Sequence, residues 1–323
     1  MNSSTKKYVV RAAKWLFRLA ILAAVAWGVG RTCQKGLQEL KEKAFSWSDV
    51  HWPLLLAAGG FYLSATAPNW LFWRKILQAM GQQPEWLASL RAFYIGHLGK
   101  YVPGKAMVVV LRTSLVRSPR VQAAAAAVSV FVETLTMMAV GGLTAAVLLG
   151  ALYREHLWLL GLAIALAACA GVPTWPPLFR RIVLLAGVKK ADPKIETSLQ
   201  GIDFRLMGQG WLMIGVSWWL MGLSLWAILE ALPGTTAIPF TQALPLLTAC
   251  VALAMVAGFI SLLPGGVGVR ETVVMTLLAP VYGPADAMIS AVLLRLVWLA
   301  SELAAGAVLY PLRRNDETSH DES

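Results

Sequence analysis

Charge is what this sequence has least of. Asp, Glu, Lys and Arg together make up 14% of its 323 residues, against roughly 25% in an ordinary soluble domain. With 58% of the chain hydrophobic, too little polar surface remains to cover a core, which excludes a soluble globular fold. Cysteine is nearly absent: Cys33, Cys169 and Cys250 stand far apart without metal-ligand spacing. None of a disulfide framework, a metal site or a catalytic thiol is expected on that ground, and small apolar filler is their expected role. The apolar runs also lack a histidine-rich or paired-acid cluster, so acid–base and metal chemistry have no candidates. No catalytic residue, metal or cofactor is expected, and the chain is not read as an enzyme. Acid is the scarcer sign, 17 residues against 28 Lys and Arg, a net charge of +11. The basic residues sit beside apolar runs rather than in a domain of their own. They read as topology signals and contacts with anionic lipid, not as a nucleic-acid surface.

What the sequence does have is long apolar runs of about 18 residues or more, each able to cross ~30 Å of hydrocarbon. Lys6, Lys7, Arg11, Lys14 and Arg18 precede an apolar stretch to about Gly30. No small-x-small cleavage site follows, so this is an uncleaved first span with its N-terminus in the cytoplasm. Residues 31–49 mix both signs and fit a short outer connection. A second span covers 52–73, with tryptophans at its ends, and Arg74 and Lys75 close it on the inside. Residues 86–115 are interrupted by Lys100, Pro103, Gly104 and Lys105, and neither half is long enough to span. Both ends are basic, Arg91 on one side and Arg112, Arg117 and Arg120 on the other, which predicts a re-entrant hairpin entered from the cytoplasm. Residues 122–149 form an outward span carrying Glu133, 153–156 an outer turn, and 157–175 a return. The basic segment 180–205 is a cytoplasmic linker. A span over 209–229 leads to an outer loop, 244–281 is a second interrupted segment, and 287–310 returns to Arg313 and Arg314.

Residues 262–271, LLPGGVGVRE, interrupt the second segment. A proline and three glycines in five residues cannot continue a regular helix, and irregular backbone at membrane depth needs protein or water around it. Span, broken hairpin, span thus occurs twice, with breaks at Pro103-Gly104 and Pro264-Gly265 and opposite charge bias. That is the pattern of an inverted repeat with a site near the midplane. The fold class is all-α: a polytopic helical membrane protein of about six full spans plus two broken re-entrant hairpins. One transmembrane domain covers 1–315 (first half 52–176, linker 177–207, second half 208–312), followed by a polar tail over 316–323. Pro103 and Pro264 are expected close together at the hairpin tips.

Six charges lie in or beside apolar runs: Arg112, Glu133, Arg270, Glu271, Arg295 and Glu302. Each costs about 2.5–3.5 kcal/mol at a helix centre, so each must be paired or face water. Arg295 and Glu302 are seven apart and share a helix face. Mutual ion pairs between helices are one reading; a polar cavity for a charged headgroup is the other. Arginine suits phosphate because its planar fork donates two parallel hydrogen bonds. The candidate binding set is Pro103, Gly104, Lys105, Arg112, Glu133, Pro264, Gly265, Gly266, Gly268, Arg270, Glu271, Arg295 and Glu302, with Arg112 and Arg270 in related positions after the two breaks. Lys100 and Lys105 have the alternative of snorkelling to the interface. His97 reads as a packed interface histidine, and Asn69 as a cap or interface residue.

These residues carry a resemblance. SLLPGGVGVRETVVMTLL and AVLLRLVWLASELAAG are similar to the second-half signature of the lysylphosphatidylglycerol synthase transmembrane-region family. NWLFWRKILQAMG, GKYVPGKAMVVVLRTSLVR and the Glu133 region resemble its first half. Thr134 stands where relatives often carry arginine. The resemblance implies a lipid translocase-like role, carried in the best-known member beside a cytoplasmic aminoacyl-transfer domain. Only a short tail follows Arg314, so aminoacyl transfer is not expected of this polypeptide.

The leading expectation is a lipid flippase-like transporter in the bacterial inner membrane, with both termini cytoplasmic. Its partners would be membrane lipids with anionic or aminoacylated headgroups, polyprenyl phosphates included. A homo-oligomer or a lipid-modifying partner enzyme is a candidate association. A secondary transporter of a small anionic or sugar-like solute would instead enclose its pore within helices. A non-transporting scaffold or regulator would pair all six deep charges and hold no cavity.

Overall fold

The computed structural model describes residues 46–102, 106–152, 171–185, 195–261 and 268–312, together with residues 27, 34, 38, 41, 161, 164, 165, 168, 169 and 266. Among these every regular element is helical. After a short 3-10 turn, Trp47–Asp49, the helices are α1 (Trp52–Ala79), α2 (Trp86–His97), α3 (Ala106–Val116), α4 (Ala123–Leu152), α5 (Pro176–Leu185), α6 (Ile195–Leu199), α7 (Phe204–Glu230), α8 (Phe240–Ile260), α9 (Val269–Tyr282) and α10 (Pro284–Leu309). Four of them, α4, α7, α8 and α10, are long and apolar enough to cross a membrane. With its 28 residues, α1 is about 42 Å long at 1.5 Å per residue. Most of the expected first span before Gly30 and most of the expected return over 157–175 lie outside the described residues, as do Cys33 and the tail 316–323.

The core forms where α1, α4, α7, α8 and α10 pack face to face. Without a hydrophobic drive between helices in lipid, close approach and hydrogen bonds must hold such a bundle. Both are present. Trp218 on α7 lies over Gly141 on α4, where an added Cβ would come within 2.4 Å of the indole. Ser224 on α7 donates to the Ala58 carbonyl of α1 at 2.8 Å and accepts from Trp298 on α10 at 3.0 Å. Asn69, expected at a cap or interface, is instead 1% exposed and accepts from Ser217 at 3.1 Å, tying α1 to α7. Outward faces are apolar, as at Leu212 and Val216 on α7 and Leu143 and Val147 on α4. The exposed Trp52 and Trp86 stand at helix starts, where indoles favour the membrane–water boundary.

The first interrupted segment is a hairpin. With 12 and 11 residues, α2 and α3 are each about 17–18 Å long, too short to span, and they pack against each other. Its tip residues Pro103, Gly104 and Lys105 lie outside the described set. The second segment is less symmetric than expected: α8 has 21 residues and suffices to cross, while α9 has 14. The reason lies in its arms, since residues 240–260 hold no charge and residue 270 puts one at the start of the next helix. Within the expected linker, α5 and α6 are folded, and Arg180 donates to the Gln200 and Ile202 carbonyls at 3.1 and 2.7 Å.

Candidate functional site

The PGGVGVRE stretch enters α9 through two left-handed glycines, Gly266 (φ 67°) and Gly268 (φ 86°), a conformation that residues with a Cβ rarely adopt. Pro264 and Gly265 are outside the described residues. Gly268 is the N-cap of α9, and its amide donates to Glu271 Oε2 at 2.7 Å. That bond turns the other carboxylate oxygen toward α10, where Arg295 Nη1 donates to Oε1 at 2.8 Å. The break, the helix start and the α9–α10 ion pair are therefore one construction.

Arg270 sits beside Glu271 and has no such partner. Its guanidinium makes no hydrogen bond or ion pair with the described residues, and its Nε is fully buried. The stem runs over two glycines: a Cβ on Gly258 of α8 would stand 2.8 Å from Arg270 Cγ and Nε, and one on Gly266 2.7 Å from Nε.

The first hairpin repeats the arrangement with a different ending. Arg112 on α3 crosses Gly96 on α2, where an added Cβ would meet its Cγ at 2.4 Å. Arg112 and Glu133 are each 2% exposed and paired at 2.7 Å. Nη2 of Arg112 lies 3.0 Å from His97 Nδ1, which must be the acceptor because arginine only donates. The guanidinium also stacks 4.1 Å from the Phe93 ring centroid. Thr134 Oγ1 lies 3.4 Å from Glu133 Oε2. Both terminal nitrogens of Arg112 are thus engaged, while its Nε is buried without a hydrogen bond; Arg270 has no hydrogen bond or ion pair among the described residues.

A third pair closes the centre. Lys100, on the 3-10 turn Leu98–Tyr101 that extends α2, pairs with Glu302 on α10 instead of reaching an interface. Tyr62 on α1 donates to the same carboxylate oxygen and stacks on Trp298 at 4.3 Å. Tyr62, Tyr101 and Gly258 escaped the sequence reading. A phenol midway along an apolar helix was the available signal, because a buried hydroxyl needs a partner. Arg295 and Glu302 share α10 as expected but serve different partners.

Two cavities meet at Arg270. The larger, ≈ 370 Å³, lies between α3, α4 and the end of α8, and reaches from Arg112 and Glu133 to Arg270. Its lining includes Phe131 on α4, which is 53% exposed. The smaller, ≈ 50 Å³, is bounded by Tyr101, Glu271, Arg295 and Trp298, and again by Arg270 and Lys100. Residues flanking the two breaks, Tyr101 and Arg270, therefore border one space. Among the described residues no group of three or more His, Cys, Asp or Glu could hold a metal.

No curated protein matches the chain significantly. The family model described as lysylphosphatidylglycerol synthase TM region matches residues 15–306, covering the bundle, both hairpins and every charge of the site. This chain is an integral membrane protein and belongs to that family.

Proposed function

We propose that the protein is a flippase-like transporter that moves a lipid with a charged headgroup between leaflets, and not an enzyme. The observation that carries the reading is Arg270, a guanidinium with no hydrogen bond or ion pair among the described residues, which lines both cavities. The residue is half-buried and its Nε is buried without a hydrogen bond among the described residues, a state that costs free energy and favours an anion there. The exposed Phe131 of α4 is part of the larger cavity's lining, so in this reading the cavity opens on the side of the bundle. A lateral mouth suits a ligand whose chains stay in the bilayer, whereas a solute carrier would close its path within helices. A scaffold that pairs every deep charge is disfavoured by the same arginine. In this reading the membrane is the bacterial inner membrane, with both termini and the 180–205 segment cytoplasmic. The test is a headgroup-accessibility assay in proteoliposomes. Arg270→Ala and Arg270→Lys should both insert and fold, with transport reduced at least tenfold, because lysine keeps the charge and loses the bidentate fork. Wild-type transport by Arg270→Ala would remove this residue from the path.

A further inference from the structure

Three ion pairs among the described residues stand around the cavities, and one is built unlike the others. Arg112 and Glu133 both line the larger cavity, and Glu271 and Arg295 both line the smaller, so in each pair cation and carboxylate face the same space. Lys100 lines both cavities, whereas its partner Glu302 is 2% exposed and lines neither. The lysine sits on the short 3-10 turn Leu98–Tyr101 rather than within a longer helix. Its ammonium is a point charge on a flexible stem, without the planar fork of arginine. The hydrogen bonds that Glu302 accepts from Tyr62 and Lys100 both fall on Oε1; Oε2 is buried and accepts none among the described residues. The titratable and charged groups around this carboxylate are Tyr62 from α1 and Lys100 and Tyr101 from the turn, with Arg270 of α9 and Arg295 of α10 acting on Lys100. An anion in either cavity therefore competes with Glu302 for the lysine. Once the ammonium turns to the anion, a carboxylate is left where neither cavity reaches, and an unpaired buried charge is costlier than a neutral carboxyl.

We infer that Glu302 is a proton-binding site coupled to anion entry: a proton from solvent bonds to Oε2 as Lys100 Nζ exchanges its hydrogen bond to Oε1 for one to the anion. The lysine keeps all its protons, and the added proton cancels the charge of a singly charged anion, so the net charge of the site is unchanged. The linkage is reciprocal. Anion binding promotes protonation, protonation tightens anion binding, and affinity rises as pH falls. The inference rests on the transport reading for what the anion belongs to, and it gives that reading a driving force, the proton gradient.

Calorimetry on the purified full-length protein in neutral detergent, repeated in buffers of different ionisation heat, counts the protons taken up on binding. The probes are short-chain phosphatidylglycerol and dimethyl phosphate, the same singly charged phosphodiester without acyl chains; neither titrates near neutral pH. Wild type should take up about one proton per lipid bound and bind up to about tenfold more tightly for each unit that pH falls. Glu302→Gln should bind with no proton uptake and no pH dependence. Lys100→Gln, whose Glu302 is already protonated, should take up none either, so the assignment does not hang on one variant. Lipid binding by wild type without proton uptake would overturn the inference, as would uptake that survives in Glu302→Gln, which would move the site to His97, Glu133 or Glu271. Equal proton-linked binding of dimethyl phosphate would uphold the proton site and refute the lipid assignment. Proton-linked lipid binding without lipid movement in proteoliposomes would uphold the site and refute transport. Movement indifferent to an imposed proton gradient would leave transport standing and overturn the coupling, and binding of neither probe would overturn both.

Discussion

Arg295 donates to Glu271 across 2.8 Å between α10 and α9, and this bond takes from Arg270 the carboxylate next to it in the chain. Glu271 is doubly engaged, since its other oxygen caps the amide of Gly268. The positive charge at the start of α9 is thereby left without an ion pair among the described residues, although the local sequence alternates signs. The amide-rich start of a helix also favours an anion there.

Gly258 lets the Arg270 stem cross α8, so Gly258→Ala forces the guanidinium away from its place: the new Cβ stands 2.8 Å from Cγ and Nε. Transport in proteoliposomes should fall several-fold while the melting temperature drops only slightly, because a flexible side chain yields before a backbone does. An unchanged transport rate would show that the position of this guanidinium is immaterial.

Arg112 should behave as a structural residue. Arg112→Ala leaves Glu133 buried and unpaired, which costs about 3–5 kcal/mol, and the protein should be recovered in low yield with a lowered melting temperature. Replacing both partners, as in Arg112→Met with Glu133→Leu, should restore folding. Failure of the double variant to recover would mean that the pair does more than neutralise itself.

Lys100 fastens the tip of the first hairpin to α10 through Glu302. Lys100→Met alone should destabilise the protein by exposing an unpaired buried carboxylate, and Glu302→Gln added to it should recover most of the loss. Thermal melts of the two single variants and the double variant give the coupling, which should be at least about 1 kcal/mol for partners in one network.

Sidedness follows from the basic residues. In a background lacking Cys33, Cys169 and Cys250, single cysteines placed in 189–194 should react only from the cytoplasmic side, and those in 238–242 only from outside. Labelling of 189–194 from outside would refute the opposite orientation of the two hairpins.

Much of this was legible in the chain itself. Scarce charge and apolar runs of spanning length force an all-helical membrane bundle, because lipid offers the backbone no other partner. Pro103-Gly104 and the PGGVGVRE stretch mark where helices cannot run on, and the six deep charges mark where the bundle must be polar. These are local properties, set by backbone freedom and the cost of burying charge.

Which charge pairs with which was not legible. Arg112 and Arg270 occupy related places after the two breaks, yet one meets Glu133 and His97 while the other meets none of the described acids. That outcome depends on which side chains three or four helices bring within ~3 Å of each other, a distance no spacing along the chain encodes. Sequence by itself determined that the membrane interior holds arginines and glutamates. Only the tertiary structure decided that Arg112 is paired while Arg270 meets no acid among the described residues, because ion pairing in a bundle is a contest among neighbours distant in sequence.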